Sequence, residues 1–228
     1  MSFSSDVKEE LVGHIGPSRH CQLAEMAAII FGIGYVIKRE DGSVELLLQA
    51  DNELIARKFF TLLRKAFNIG TSILEKDADI KVNGRIYRPV PIDSAALESV
   101  LKAIRLLSPE GELRDPGEGV SPMVTRNSCC KRAFIRDSFL CLGSISDPNK
   151  GYHLEFVCDR EIQAVQLQEM IESFDIEARI VIRKKYFVLY LKDGSGIVDL
   201  LNIMEAHVSL MNLENLRIVK EMRNSINR

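Results

Sequence analysis

Apolar residues along the chain follow two rhythms. Leu54, Ile55, Phe59, Leu62, Leu63 and Phe67 recur at the spacing of one helix face, predicting a helix capped by Asp51 and running to Phe67. Tyr35 to Arg39 and Val44 to Ala50 read instead as strands around an Asp41-Gly42 hairpin turn. A second strand pair, Thr71 to Lys76 and Arg85 to Ile92, is joined through Asn83-Gly84, and Ser94 caps a helix to Leu107. A short helix, Asp6 to Ile15, capped by Ser4 or Ser5, precedes all of this.

The pattern then repeats. Cys21 to Gly34 overlays Cys130 to Gly143 at an offset of 109 residues, so that Ala24 meets Ala133, Ile33 meets Leu142 and Gly34 meets Gly143. Each run reads as a mostly apolar helix closed by glycine, which tolerates the left-handed conformation at a helix end. Asp51, Glu53 and Ala56 align with Asp159, Glu161 and Ala164, and Phe67-Asn68-Ile69 aligns with Phe174-Asp175-Ile176. The second copy continues with a strand around Tyr152 to Val157 after the Asp147-Pro148-Asn149 turn, and a helix from Arg160 to Phe174 follows. A hairpin spans Ala178 to Lys192, and a helix starts at Ser195. The reading is an α+β fold with an α-β-β-α-β-β-α unit used twice. Residues 1–107 carry the short helix and first repeat, 108–127 a Pro- and Gly-rich linker, 128–207 the second repeat and 208–228 a helical tail. That tail ends in RNSINR with no stop signal, as expected of a chain that continues.

Composition narrows the function classes. The longest apolar run, Met26 to Val36, is broken by glycines and falls short of the ~20 residues of a bilayer span. The polar, acidic N-terminus is unlike a secretory signal, so a cytoplasmic location is expected. The five cysteines show no C-x-x-C spacing and read as reduced core thiols, with Cys129, Cys130 and His153 the zinc alternative. A net charge of -2 does not advertise a polyanion partner, so any nucleic-acid contact must come from a local patch.

Two apolar, glycine-closed helices that each open such a unit resemble the LAGLIDADG homing-endonuclease architecture. FSSDVKEEL, CQLAEMAAIIFGIG, CCKRAFIRDSFLCLGSISDPNKGYHLEFV and RNSINR are similar to one branch, the WhiA sporulation and cell-division regulators. The resemblance implies a LAGLIDADG-like fold with two pseudo-symmetric repeats, a strand saddle along double-stranded DNA, and a separate helix-turn-helix domain. It also implies a test of the chemistry, since an active enzyme has an acid immediately before each closing glycine to hold divalent metal. Here those positions are Ile33 and Leu142, so no catalytic residue, metal or cofactor is expected. Asp41 and Asp147 read as turn residues.

The DNA-binding patch expected from the pattern is the alternation Arg179, Val181, Arg183, Lys185, with Ile180 and Ile182 facing the core. Arg85 and Tyr87 beside an inward Ile86 are its first-repeat counterpart, with Arg88, Lys38, Arg39 and His153 as additions. The plainer reading has Arg183-Lys184-Lys185 solvating a turn. The alternative function is a protein-interaction or ligand-sensing domain that leaves DNA to another part of the protein. Gly32-Ile33-Gly34 lacks the third glycine of a phosphate loop, and Ala27, Ala28 and Gly34 instead suit close helix packing.

Overall fold

The computed structural model describes residues 2–51, 53–71 and 79–226, so the expected strand at Thr71 to Lys76 lies almost wholly outside the described residues. The chain divides into two compact units, residues 15–137 and residues 1–14 with 138–228.

In the first of these, α2 (Arg19–Ile33) leads into β1 (Gly34–Lys38) and β2 (Val44–Gln49), then α3 (Glu53–Phe67), β3 (Ile80–Val82), β4 (Arg85–Pro89) and α4 (Ser94–Ala103). The strands form an antiparallel sheet of order β1-β2-β4-β3. Asp41-Gly42 and Asn83-Gly84 make the turns, with Gly42, Asn83 and Gly84 all at positive φ. Ile55, Phe59, Leu62 and Leu63 bury one stripe of α3, whereas Leu54 is 56% exposed and outside the core. The repeated Phe-Asn/Asp-Ile block is a helix stop. Asn68 adopts φ 55° and the Ile69 amide returns to the Leu63 carbonyl at 3.3 Å, a reversal that asparagine tolerates. α4 ends earlier than expected because Arg105 turns left-handed at φ 60°, sending the Leu106 amide back to Leu101 at 2.9 Å. Its N-cap is Asp93, whose carboxylate accepts from the Ala96 amide at 2.9 Å. The 108–127 segment is ordered, with a 3-10 turn at Pro116–Glu118 and Val120 and Val124 buried.

α5 (Ser128–Leu142) passes from this unit into the other, which contains β5 (Gly143–Ile145), β6 (Leu154–Cys158), α6 (Glu161–Glu172), β7 (Arg179–Arg183), β8 (Tyr186–Leu191), α7 (Gly194–Met204) and α8 (His207–Ile226). Its sheet has the same antiparallel order, β5-β6-β8-β7. Asp175, at φ 61°, repeats the Asn68 stop after α6. The short helix α1 (Phe3–Val12) also belongs here and is capped by Ser2, not by Ser4 or Ser5, the Ser5 amide donating to the Ser2 hydroxyl at 3.2 Å. Glu10 on α1 caps α8 from a distance, its carboxylate accepting from the amides of Val208 and Ser209 at 2.8 and 2.9 Å.

The closing glycines serve a different purpose from the one expected. Gly34 is extended, with φ -88° and ψ 154°, and Gly143 is also outside the positive-φ region. Their requirement is space: a Cβ at Gly34 would lie 2.5 Å from the Ile30 carbonyl oxygen, and one at Gly143 would fall on the Phe139 ring.

Candidate nucleic-acid interface

Ladder register assigns the faces of each sheet, because residues opposite one another project to the same side. In the second sheet Glu155 opposes Tyr190, which opposes Arg179, and Val157 opposes Val188, which opposes Val181. Arg179, Val181, Arg183, Tyr186, Tyr190 and, by alternation, His153 therefore share the outward face. Leu154, Phe156, Leu189 and Leu191 fill the opposite, buried face. The Glu155 carboxylate gathers this surface. His153 Nε2 lies 2.9 Å and Arg183 Nη1 3.4 Å from the same oxygen, and the His153 ring stacks on Tyr190 at 6.0 Å between centroids. Arg179 is held by Glu177 at 2.7 and 2.9 Å, which raises its pKa.

Lys185 departs from the expected alternation. It lies in the Lys184-Lys185 turn, Lys184 taking φ 58°, and its ammonium sits 5.3 Å over the Tyr186 ring. Ile182 keeps the inward parity yet is 67% exposed, because it stands at the turn end of an edge strand. Lys192 lies 5.3 Å over Tyr190 and adds a cation that the sequence pattern did not single out.

In the first sheet Tyr35 opposes Leu47, and Gln49 opposes Tyr87. Tyr35, Glu45, Gln49, Arg85 and Tyr87 share a face, with the Tyr35 and Tyr87 rings 6.0 Å apart and Tyr87 largely buried. Arg39 joins it through Glu45 at 2.6 Å. Lys38 has the opposite parity, and its ammonium donates to the Gly111 carbonyl at 2.7 Å. Ile86, expected inward, is 55% exposed beside the Asn83-Gly84 turn. Arg88 has the same parity but is buried, gripped by both oxygens of Asp79 at 2.6 and 3.0 Å.

Ile33 and Leu142 stand at the ends of α2 and α5. Ile33 is buried and Leu142 half-buried, and aliphatic side chains give a hard cation no oxygen. Asp147 is a turn residue whose carboxylate accepts from the Asn149 amide at 2.9 Å, which holds its pKa below the usual range. Asp41 does the same for the Ser43 amide at 2.9 Å.

Two clusters escaped the sequence pattern. Glu25 on α2, Lys58 on α3, and Arg136 and Asp137 on α5 form a buried network within residues 15–137. Lys58 Nζ lies 2.9 Å from Asp137 and 3.5 Å from Glu25, and Arg136 donates to Glu25 at 2.8 Å. The Glu25 carboxylate also accepts from the Gly16 amide at 2.6 Å. Burial pushes the Asp137 carboxyl up to about 6, with Glu25 adding to the rise and Lys58 and Arg136 opposing it.

The second cluster is His20, Cys21, Cys129 and Cys130, whose ligand-type atoms all lie within 4.8 Å of one another. Burial, reinforced by the neighbouring thiols, pushes the Cys21 thiol up to about 12. Cys129 is thus exposed and in company rather than a core thiol, while His153 is engaged by Glu155 and Tyr190. Among the described residues no helix is long and apolar enough to cross a membrane.

Residues 19–107 match the WhiA N-terminal LAGLIDADG-like domain and residues 131–223 the WhiA LAGLIDADG-like domain. The probable cell division protein WhiA of Lachnoclostridium phytofermentans is 51% identical over all of this chain, which spans 72% of that relative. The chain belongs to the WhiA family. A probable cell division protein WhiA from Alkaliphilus oremlandii is 40% identical with the same coverage. Among solved structures, full-length DUF199/WhiA from Thermatoga maritima matches all of the chain and 72% of its own length at TM-score 0.70 and 19% identity. The homing endonuclease I-DmoI in complex with DNA and Mn matches 82% of the chain and 98% of its own at TM-score 0.51 and 14% identity. These likenesses establish a LAGLIDADG-type fold, as the family resemblance implied.

Proposed function

We propose that this WhiA-family chain is a non-catalytic DNA-holding module of a transcriptional regulator of sporulation and cell division, working with a helix-turn-helix domain. The observation that carries the reading is the outward face of the second sheet. Arg179 and Arg183 alternate along an exposed edge strand, with Lys185, Lys192 and His153 around Tyr186 and Tyr190. Cations spaced along a strand suit phosphates, and the aromatic rings give them a rigid base. The first sheet offers Arg39 and Arg85 for a contact of its own, with the buried Tyr87 as support beneath them, while Lys38, engaged with Gly111, drops to a minor role. The WhiA relatives are named as cell division proteins, and the I-DmoI structure holds DNA, which supports the same reading by kinship. Ile33 and Leu142, at the positions an active LAGLIDADG enzyme fills with acids, support a loss of cleavage.

Anisotropy of labelled duplex DNA across a salt series tests this proposal. Salt-sensitive binding that weakens in the Arg179→Ala/Arg183→Ala double variant is expected; no binding, or unchanged binding by the variant, overturns it. Supercoiled plasmid with magnesium should remain uncut.

One observation favours a second role. Val208, Met211, Ile218, Val219 and Met222 are exposed on α8 at helical spacing, an apolar stripe suited to a protein surface.

A further inference from the structure

His20 and Cys21 occupy the first turn of α2, and Cys129 and Cys130 occupy the first turn of α5. They are the same two repeat positions taken twice, His20 and Cys129 being 109 residues apart. Cys129 Sγ lies 3.4 Å from His20 Nε2, and Cys130 Sγ lies 3.7 Å from the His20 carbonyl. A tetrahedral zinc ion with Zn–S of about 2.3 Å and Zn–N of about 2.0 Å sets its ligands roughly 3.5 to 3.8 Å apart. Four donors already within 4.8 Å reach that geometry by small side-chain adjustments. Three sulfurs and one imidazole form a set common to structural zinc sites. Burial is graded: Cys21 is 6% and Cys130 2% exposed, whereas His20 and Cys129 are open to solvent and supply an entry path.

We propose that His20, Cys21, Cys129 and Cys130 bind one zinc ion as a closed structural site that ties the start of α2 to the start of α5. Binding replaces three thiol protons, released to solvent, by one Zn²⁺ held through three thiolates and a neutral imidazole nitrogen. No electron is transferred. With four protein ligands no coordination position remains for substrate, so the site staples the fold and performs no chemistry. The inference is independent of any DNA contact.

Cobalt(II) titration of the reduced 228-residue chain, previously stripped with chelator, tests the site. The expected result is one equivalent bound with a thiolate-to-cobalt charge-transfer band and strong tetrahedral visible bands, both abolished by added zinc. Cys129→Ser and His20→Asn alter exposed ligands and should leave the fold intact. Each should weaken zinc binding by more than about a hundredfold, beyond the usual loss for an outer-shell partner. Chelation of the zinc-loaded chain should lower its melting temperature, and that drop should vanish in the Cys129→Ser/His20→Asn double variant. Absence of tetrahedral bands, cobalt affinity unchanged in both variants, or a melting temperature indifferent to chelation overturns the proposal.

Discussion

Lys58 Nζ stands 2.9 Å from the Asp137 carboxylate, and neither side chain reaches solvent. Removing the cation leaves Asp137 and Glu25 buried with only Arg136 between them. Lys58→Met should therefore destabilise the fold by about 3–5 kcal/mol, the usual cost of breaking a buried ion pair from one side. Replacing all four charged residues together with well-packed apolar ones should cost much less. Urea unfolding midpoints at neutral pH distinguish the two outcomes.

The same site predicts a pH dependence. Asp137 titrates near 6 in the folded chain, above an unfolded aspartate at about 3.9. Between those values the native state holds a proton that the unfolded chain has released. The contribution of Asp137 is thus fully present below the unfolded pKa and is lost as pH rises through the folded one. Lowering pH from about 7 to about 5 should raise this contribution. Comparing unfolding free energies of the wild-type chain and Asp137→Asn isolates it, since the variant should lack this part of the dependence.

Gly34 is the site where an added methyl group matters most clearly. Its Cβ would come within 2.5 Å of a backbone oxygen, so the helix end itself has to move. Gly34→Ala should cost about 1–3 kcal/mol, as overpacking does. The fluorescence or circular-dichroism melting curve should shift down accordingly, and an unshifted curve would contradict the packing role.

For the proposed DNA contact, salt dependence is more telling than affinity at one condition. Each phosphate contact contributes about 0.9 to the slope of log K against log salt on duplex DNA. Arg183→Ala should lower that slope by about one contact's worth, with little dependence on base sequence. Lys38→Ala, whose wild-type ammonium is tied to Gly111, should leave it nearly unchanged.

The duplication and most elements were legible because they are local: helical spacing in α3, Asx-Gly hairpin turns, and the Phe-Asn/Asp-Ile stops all lie within short windows. The closing glycines were legible as helix ends, but their physical reason was not, since crowding at Ile30 and Phe139 is invisible without the backbone. Strand parity survived for Arg179 and Arg183. Exposure did not follow parity for Ile182 and Ile86, because a strand pattern does not say where the covering layer stops. Lys185 failed the alternation because Lys184 turns left-handed. Lys58 and Asp137, 79 residues apart, and the adjacent-residue pairs His20-Cys21 and Cys129-Cys130 match no short spacing template. Only the fold assembles them.

The buried charges on α2 and α5 also make the two halves of the duplication non-interchangeable. At the repeat offset Glu25 corresponds to Phe134, and Arg136 and Asp137 correspond to Ala27 and Ala28. Pairing α2 with another α2 would set Glu25 against Ala27 in the place of Arg136, leaving the carboxylate buried with no guanidinium to answer it. The network therefore acts as a key that admits the unlike helix and turns away the like one, a discrimination that greasy, glycine-closed helices of similar shape could not supply.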